Sequence, residues 1–184
     1  MFRPALWYIP AVVKWALVCL LASVLAGSGC GYQFVRYRDA LGDARRVAIL
    51  GLENQSFEPG LDSLVADALH REFMRRGALQ VVSDPETADL LVKGSVERLQ
   101  TRRQSFSSIE FVLESEVTMR LDLQVERRDG SEVPINRTVL VETEIYLASA
   151  DVEVSRTNRK EALRRLAGTL AGRFHDVLYE RITP

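Results

Sequence analysis

The sequence predicts an α+β fold, a two-layer sandwich in which two helices pack on one face of a mixed, mostly antiparallel sheet. Residues 61–76 and 158–178 carry apolar residues at helical spacing. Residues 111–125 alternate apolar and polar side chains, which indicates a long strand with one buried face. Two amphipathic helices and one such sheet bury their apolar surfaces together when both helices cover the same face. The other face is then charged and exposed, or is covered by another protein.

In the first half of the domain, the sequence of residues 46–82 predicts a strand, a helix and a second strand. Residues 46–52 are a compact apolar run, typical of a strand buried on both faces. A turn-rich loop, residues 53–60, leads into a helix at 61–76, and Gly77 is a signal for its C-terminal end. Residues 78–82 form the next strand. A right-handed crossover makes the two strands parallel.

The second half predicts an antiparallel meander. Residues 90–96 form one strand and residues 111–125 form the longest one. Asp129-Gly130 is a tight hairpin signal. A further strand at 133–147 is predicted to bury its odd positions. These positions hold Val133, Ile135, Val139, Val141, Ile145 and Leu147.

The closing helix is predicted to begin near Asn158, which caps it while Glu161 completes a capping box three residues later. Its predicted buried stripe consists of Leu163, Leu166, Ala167, Leu170, Phe174, Val177 and Leu178. No repeat, low-complexity tract or Pro/Ser linker follows residue 40. We therefore expect residues 45–184 to be a single domain.

The first 29 residues are typical of a bacterial export signal. Arg3 and Lys14 precede an apolar run at 15–26, which is shorter than the roughly 20 residues that a membrane-spanning helix needs. Small residues then lead to Cys30, a pattern similar to the lipobox of bacterial lipoproteins, in which the thiol is acylated and becomes the mature N-terminus. We predict a signal peptide at 1–29 and a lipidated tether at 30–44. A soluble exported protein and a retained helical anchor are the alternatives.

The composition of the mature chain excludes several classes. It holds 22 basic and 25 acidic residues, a formal charge of −3, which argues against nucleic-acid binding. Cys30 is its single thiol, so no internal disulfide is expected. We expect no cofactor, and we expect Cys30 to carry covalent diacylglycerol and fatty acyl groups. The full sequence has 21 arginines against 3 lysines, which fits either phosphate recognition or a GC-rich genome.

We find no catalytic set and predict that the protein is not an enzyme. His70 and His175 are interpreted as ordinary helix residues. No nucleophile-elbow, phosphate-loop, zinc-protease or CxxC motif is present. Glu114 and Glu116 fall on the polar face of the long strand, where solvation is the simpler interpretation than acid–base catalysis.

Two arginine pairs are candidates for ligand binding. Arg102 and Arg103 lie in the predicted connection at 99–108, at the tip between two long strands, with Phe106 nearby. Two guanidinium groups and a ring suit a phosphorylated amphiphile, because the forks bind phosphate and the ring contacts acyl chain or sugar. A merely solubilising loop is the alternative. Arg127-Arg128, at the opposite end of the sheet, are interpreted mainly as solubilising residues.

Nearly the whole mature chain resembles the lipopolysaccharide-assembly lipoprotein (LptE) family. The segments that carry the resemblance are CGYQF at 30–34, RVAI at 46–49, EN at 53–54 and EPGL at 58–61, followed in order by the helix, the hairpin strands and the last helix. The resemblance implies a lipid anchor in the outer membrane, at its periplasmic face. It also implies a plug inside the β-barrel translocon (LptD) that supports barrel assembly and helps deliver lipopolysaccharide to the outer leaflet. The implied partners are an LptD-like barrel, lipopolysaccharide and outer-membrane lipids.

The resemblance also bears on site residues and leaves rivals open. It implies contact with lipopolysaccharide through basic residues near a sheet end, a role that we assign to Arg102 and Arg103. Residues 46–61 are also similar to the opening of CsgG-type and TolB-type envelope proteins, which act in secretion or as trans-envelope scaffolds. An envelope hydrolase is a third possibility, and it would need a pocket with converging carboxylates.

Overall fold

The computed structural model describes residues 44–103 and 113–183, which belong to one compact unit, residues 36–184. Across the described residues eight strands form one sheet, accompanied by helices α1 (Leu61–Arg76) and α2 (Val152–Ile182). The strands are β1 (Arg46–Ile49), β2 (Glu53–Asn54), β3 (Gln80–Val81), β4 (Leu90–Val96), β5 (Gln100–Arg103), β6 (Leu113–Arg127), β7 (Glu132–Val133) and β8 (Val141–Ala148).

The sheet is open and mixed, as predicted. Its main order is β3-β1-β4-β6-β5, with β2 paired to β4, and β7 and β8 paired to β6. The pairs β1–β3, β1–β4 and β2–β4 are parallel, and the first of them confirms the predicted parallel pairing of the strands on either side of α1. All pairs that involve β6 are antiparallel.

Both helices pack on the same face of this sheet. Phe73 of α1 and Phe174 of α2 meet edge to face, with ring centroids 6.1 Å apart. Beneath them lie the inward residues of β6, all of them 0–1% exposed: Val117, Met119, Leu121, Leu123 and Val125. Burying a side chain of this size stabilises the fold by about 1.5–3 kcal/mol. The predicted alternation of the long strand is confirmed over residues 115–125, and residues 111–112 of that prediction lie outside the described residues.

Two glycines occupy positions that other residues would strain. Gly77 ends α1 in the left-handed conformation, φ 63°, and its N–H donates to the carbonyl of Phe73 at 3.0 Å, as the predicted stop requires. Gly94 lies opposite Leu123 in the β4–β6 ladder with φ 155°. A Cβ there would lie 2.0 Å from the carbonyl oxygen of Asp122, so the two backbones approach this closely only because no side chain intervenes.

The predicted single strand at 133–147 is wrong. The chain forms β7, a short 3-10 turn at Arg137–Val139 and then β8. Leu140 follows the turn, is fully buried, and its carbonyl accepts a hydrogen bond from the N–H of Leu121 at 3.0 Å. The turn shifts the alternation of side chains. Before the turn the odd-numbered residues face the helices, and after the turn the even-numbered residues face the helices.

The shift exposes residues that we expected to be buried. In β8, Tyr146 is buried, whereas Ile145 and Leu147 are 52% and 51% exposed. The same shift turns two carboxylates toward α2, where each finds a guanidinium. The pairs are Glu144 with Arg165, at 2.5 Å, and Glu142 with Arg173.

The closing helix begins earlier than predicted. Asp151 caps α2 by accepting hydrogen bonds from the N–H groups of Glu153 and Val154. Asn158 is not the cap, and its side-chain amide instead donates to the carbonyl of Leu147 at 2.9 Å. The first turns of α2 bury few side chains, so the sequence shows no apolar period there.

The sheet has two ends, which we name by their residues. The tether end contains Ala44, Arg46, Asp89 and Arg128, and it is closed by a hydrogen bond from the N–H of Arg46 to Asp89 at 2.9 Å. The hairpin end contains β5, residues 113–116 of β6 and the start of α2. Twelve steps of β6 separate Ser115 from Arg127, which places the two ends roughly 40 Å apart at 3.3 Å per residue.

Candidate functional site

The predicted site residues fall in different parts of the chain. Cys30 and Phe106 lie outside the described residues. Arg102 and Arg103 lie at the hairpin end, but in β5 rather than in a loop connection, opposite Glu116 and Ser115 of β6. Their polar composition suggested a loop, and the backbone ladder with β6 overrides that local preference.

The two arginines face opposite sides of the sheet. The hydroxyl of Thr101 accepts a hydrogen bond from Arg159 of α2 at 3.2 Å, so Thr101 faces the helices. Side chains alternate along a strand, so Arg103 shares that side and Arg102 points to the open face. Strand geometry therefore does not bring both guanidinium groups onto one phosphate, because the two side chains project from opposite faces of β5.

Both guanidinium groups are available to a ligand. Arg102 and Arg103 are exposed, and neither forms an ion pair with a carboxylate of the described residues. At the tether end Arg128 differs, because its guanidinium donates to the carbonyls of Ala88 at 3.2 Å and Glu86 at 2.9 Å. Arg128 is thus a structural brace rather than the solubilising residue we expected.

Arg159 anchors the hairpin end. Its Nε donates to Glu58 at 3.1 Å, and its Nη1 donates to Thr101 at 3.2 Å and to the hydroxyl of Tyr146 at 3.3 Å. Partial burial opposes the charge, but the hydrogen bonds to Tyr146 and Glu58 outweigh it and raise the pKa of the Arg159 guanidinium. One cation therefore ties α2 to β5, β8 and the loop after β2, and it steadies the strand that carries Arg102 and Arg103.

A second contact at this end was not found from sequence. Phe57, in the loop between β2 and α1, is 85% exposed, and the guanidinium carbon of Arg98 lies 5.0 Å from the centre of its ring. The available signal was a large aromatic residue among turn formers at 53–60. Sequence reasoning missed Arg159 as well, because its partners lie 13 to 101 residues away.

The open face of the sheet is mostly polar, as predicted, apart from the half-exposed Ile145 and Leu147 of β8. The hydroxyls of Thr118 and Thr143 share a hydrogen bond at 2.8 Å across β6 and β8. Lys93 and Glu126 form an ion pair on the same face at 2.7 Å. Glu114, directly opposite Leu147, is exposed to solvent as expected.

The described residues hold no arrangement for catalysis. His175 is 1% exposed against the rings of Phe73 and Tyr179, so it is a core residue of α2. His70 donates from its ring Nδ1 to the carbonyl of Ala66 on its own helix, 2.8 Å away. A concavity of about 700 Å³ beside β3 has no carboxylate among its described lining residues. No group of three or more metal-ligating side chains occurs within 44–103 and 113–183.

Comparison with known proteins identifies the family. The family model for lipopolysaccharide assembly, LptE, matches residues 44–178, which is most of the chain and all of the sheet. The chain belongs to the LptE family. A search of curated proteins found no match.

Several solved structures are similar to this LptE-family chain. A minor lipoprotein from Acinetobacter baumannii is 14% identical, with 77% of this chain and 97% of that chain covered and a TM-score of 0.47. Lipoprotein B from Nitrosomonas europaea is 13% identical, with 77% and 88% covered and a TM-score of 0.47. PelC from Paraburkholderia phytofirmans, a dodecamer, is 17% identical, with 79% and 93% covered and a TM-score of 0.41. We draw no functional conclusion from likenesses at this level.

Family membership gives this LptE-family protein a role in lipopolysaccharide assembly, as a non-enzymatic factor of the cell envelope. The matched residues include Arg102 and Arg103 but not Cys30. Neither α1 nor α2 is long and apolar enough to cross a membrane, and no other helix of the described residues is.

Proposed function

We propose that this protein is anchored through acylated Cys30 at the periplasmic face of the outer membrane. There it plugs an LptD-like β-barrel, supports the assembly of that barrel and helps deliver lipopolysaccharide to the outer leaflet. The lipobox-like pattern before Cys30 and the family membership support this proposal.

The observation that carries the ligand role is a pair of exposed cations at the hairpin end that form no ion pair with a carboxylate of the described residues. Arg102 and Arg103 project from a strand that is paired to β6 and braced by Arg159. Guanidinium forks bind phosphate oxygens with strong, charge-assisted hydrogen bonds. Lipopolysaccharide carries phosphate beside its acyl chains, so this end of the sheet suits its head group. Phe106, three residues after Arg103, is proposed to contact the same ligand.

The open face supports the plug role. Its threonine pair and its Lys93–Glu126 ion pair are the kind of polar surface that the water-lined interior of a large barrel accommodates. An apolar face would instead be expected to pack against another apolar surface that excludes water.

The tether supports an anchor separated from the ligand site. Fourteen residues lead from Cys30 to Ala44 and reach at most roughly 50 Å when extended. The hairpin end lies roughly 40 Å beyond the tether end. The acyl chains can therefore stay in the inner leaflet while the arginines act at a distance from it.

Depletion of the protein tests the proposal. We expect the barrel protein to fail to mature and lipopolysaccharide to be lost from the cell surface. Normal barrel maturation with normal surface lipopolysaccharide would overturn it. The native mass in detergent separates the rival: a 1:1 complex with a large barrel supports the plug, and a homo-oligomeric ring supports a CsgG-type or TolB-type scaffold.

A further inference from the structure

The exposed ring of Phe57 stands at the apex of a rigid loop. Asn54, at the end of β2, closes that loop: its side-chain amide donates to the carbonyl of Glu58 at 2.9 Å, and its carbonyl oxygen accepts from the N–H of Ser56 at 3.0 Å and from the Ser56 hydroxyl at 2.6 Å. The hydroxyl of Ser56 in turn accepts from the N–H of Glu58 at 3.1 Å. Four hydrogen bonds thus fix the backbone on both sides of a phenyl ring that is itself 85% exposed.

Folding stability does not account for this ring. An aromatic side chain contributes to stability mainly by burial, and Phe57 buries little of its surface. A loop that is locked around an exposed aromatic residue is instead typical of a binding element, because a pre-organised anchor loses little entropy when it binds.

Arg98 sets the chemistry of this element. Its guanidinium carbon lies 5.0 Å from the centre of the Phe57 ring, a cation–π distance. Arg98 is exposed and has no ion pair with a carboxylate of the described residues. The pair therefore presents an apolar ring edge and a positive charge side by side, which matches a ligand that is both apolar and anionic.

The pair lies at the hairpin end, beside the proposed ligand site. Glu58, next to Phe57, and Thr101, next to Arg102, are both hydrogen-bonded to Arg159. Arg98 lies two residues before β5. The hairpin end thus carries the ring at position 57 and the cations at positions 98, 102 and 103, with Arg102 on the open face of β5 and Arg103 on the helix face.

We propose that Phe57 and Arg98 form a second contact for the phosphorylated glycolipid, with the ring against an acyl chain or sugar and the guanidinium against an anionic group. This inference rests on the proposed function, since it takes the hairpin end as the glycolipid site. It adds a ligand-binding element on the loop before α1, outside β5 and its hairpin.

Binding of purified bis-phosphorylated lipid A to the full-length lipoprotein in detergent tests the inference. We expect Phe57→Ala to weaken binding about 5-fold to 10-fold and Arg98→Gln about 3-fold to 10-fold, with Phe57→Leu between Phe57→Ala and the native protein. Met74→Ala removes an equally isolated side chain, 71% exposed on α1, and Arg71→Gln removes an exposed cation of the same helix. Both controls should bind as the native protein does.

The outcomes separate the two proposals. If Arg102→Glu and Arg103→Glu weaken binding while Phe57→Ala and Arg98→Gln do not, this inference fails and the proposed site stands. If none of the four variants weakens binding, both fail. If Phe57→Ala leaves lipid A binding intact but reduces co-purification of a barrel protein, the ring contacts a protein and the inference is overturned. Unchanged thermal unfolding of Phe57→Ala, expected for so exposed a ring, excludes misfolding as the cause of lost binding.

Discussion

Arg159 and Glu58 lie 101 residues apart in sequence and are joined by a hydrogen-bonded ion pair of 3.1 Å between Nε and Oε2. The contact connects the last helix to the loop that presents Phe57. Because the same guanidinium also reaches Thr101 and Tyr146, the order of the hairpin end depends on a single side chain.

Replacement of that side chain should loosen the hairpin end. We expect Arg159→Gln to lower the free energy of unfolding by about 1–3 kcal/mol, because partly buried acceptors lose their donors, and to weaken glycolipid binding as well. Urea unfolding measures the first effect. Arg156→Gln breaks an exposed pair with Glu153 one turn away and should cost no more than about 0.5 kcal/mol. Equal losses in the two variants would show that Arg159 has no special role.

Gly94 should not tolerate a side chain. The Cβ of Gly94→Ala would lie 2.0 Å from the carbonyl oxygen of Asp122, so β4 and β6 must separate. We expect a loss of about 2–4 kcal/mol in unfolding free energy. Gly168→Ala is the matched control, because that helical glycine faces open space and the change should stabilise by about 0.5–1 kcal/mol. A Gly94→Ala protein of native stability would show that the two strands are not in this register.

His175 should make the stability depend on pH. Burial, with a further contribution from the Arg76 charge, lowers the pKa of His175 from 6.5. The unfolded chain therefore binds a proton at a higher pH than the folded one does. The contribution of His175 to the unfolding free energy is present above pH 6.5 and is lost as the pH drops below it, by at most about 1.4 kcal/mol per pH unit.

Chemical unfolding at several pH values measures this dependence. His175→Gln should flatten the slope between pH 6.5 and 5. The pKa of Glu72 is lowered from 4.5 by hydrogen bonds from Arg75 and Arg76, so its contribution is lost only at lower pH. A slope that survives in His175→Gln would assign the effect to another group.

Arg102 and Arg103 should act independently on glycolipid binding. They lie on opposite faces of β5, so Arg102→Glu and Arg103→Glu should each weaken binding about 3-fold to 10-fold, with additive free energies in the double variant. Arg127→Glu, at the tether end, serves as the control. Strong coupling between the two positions would contradict their placement on separate faces.

Lipidation at Cys30 has a direct test. Mass spectrometry of the mature protein should find an N-terminal Cys30 carrying diacylglycerol and a fatty acyl group. The Cys30→Ser variant should lose that mass and leave the membrane fraction. An exported chain with an unmodified thiol would point to one of the alternatives, a soluble protein or a retained helix.

Strong, local patterns predicted most of the fold. The alternation over 115–125 and the helical stripe of α1 each depend on a face that is buried along these described residues, so the period is visible without a structure. Gly77, which ends α1, was also predicted from a local signal, because its left-handed conformation excludes most other residues.

Patterns failed where burial changes along an element. The 3-10 turn before β8 reverses the alternation of buried and exposed side chains. The sequence pattern therefore predicted that Ile145 and Leu147 are buried, although they are half exposed. The start of α2 lies beyond the core and has no apolar period. The capping role of Asp151 is visible only in the structure, where its side chain accepts hydrogen bonds from the N–H groups of Glu153 and Val154.

For the site, the sequence by itself determined the kind of residue, and the tertiary structure decided the arrangement. Two adjacent arginines and a rich supply of guanidinium groups are visible in the printed chain. That Arg102 and Arg103 diverge to two faces follows from pairing with β6, which is a property of the sheet. The meeting of Glu58, Thr101 and Arg159 requires three segments far apart in sequence, because hydrogen bonds act over about 3 Å and only the folded chain brings those atoms that close.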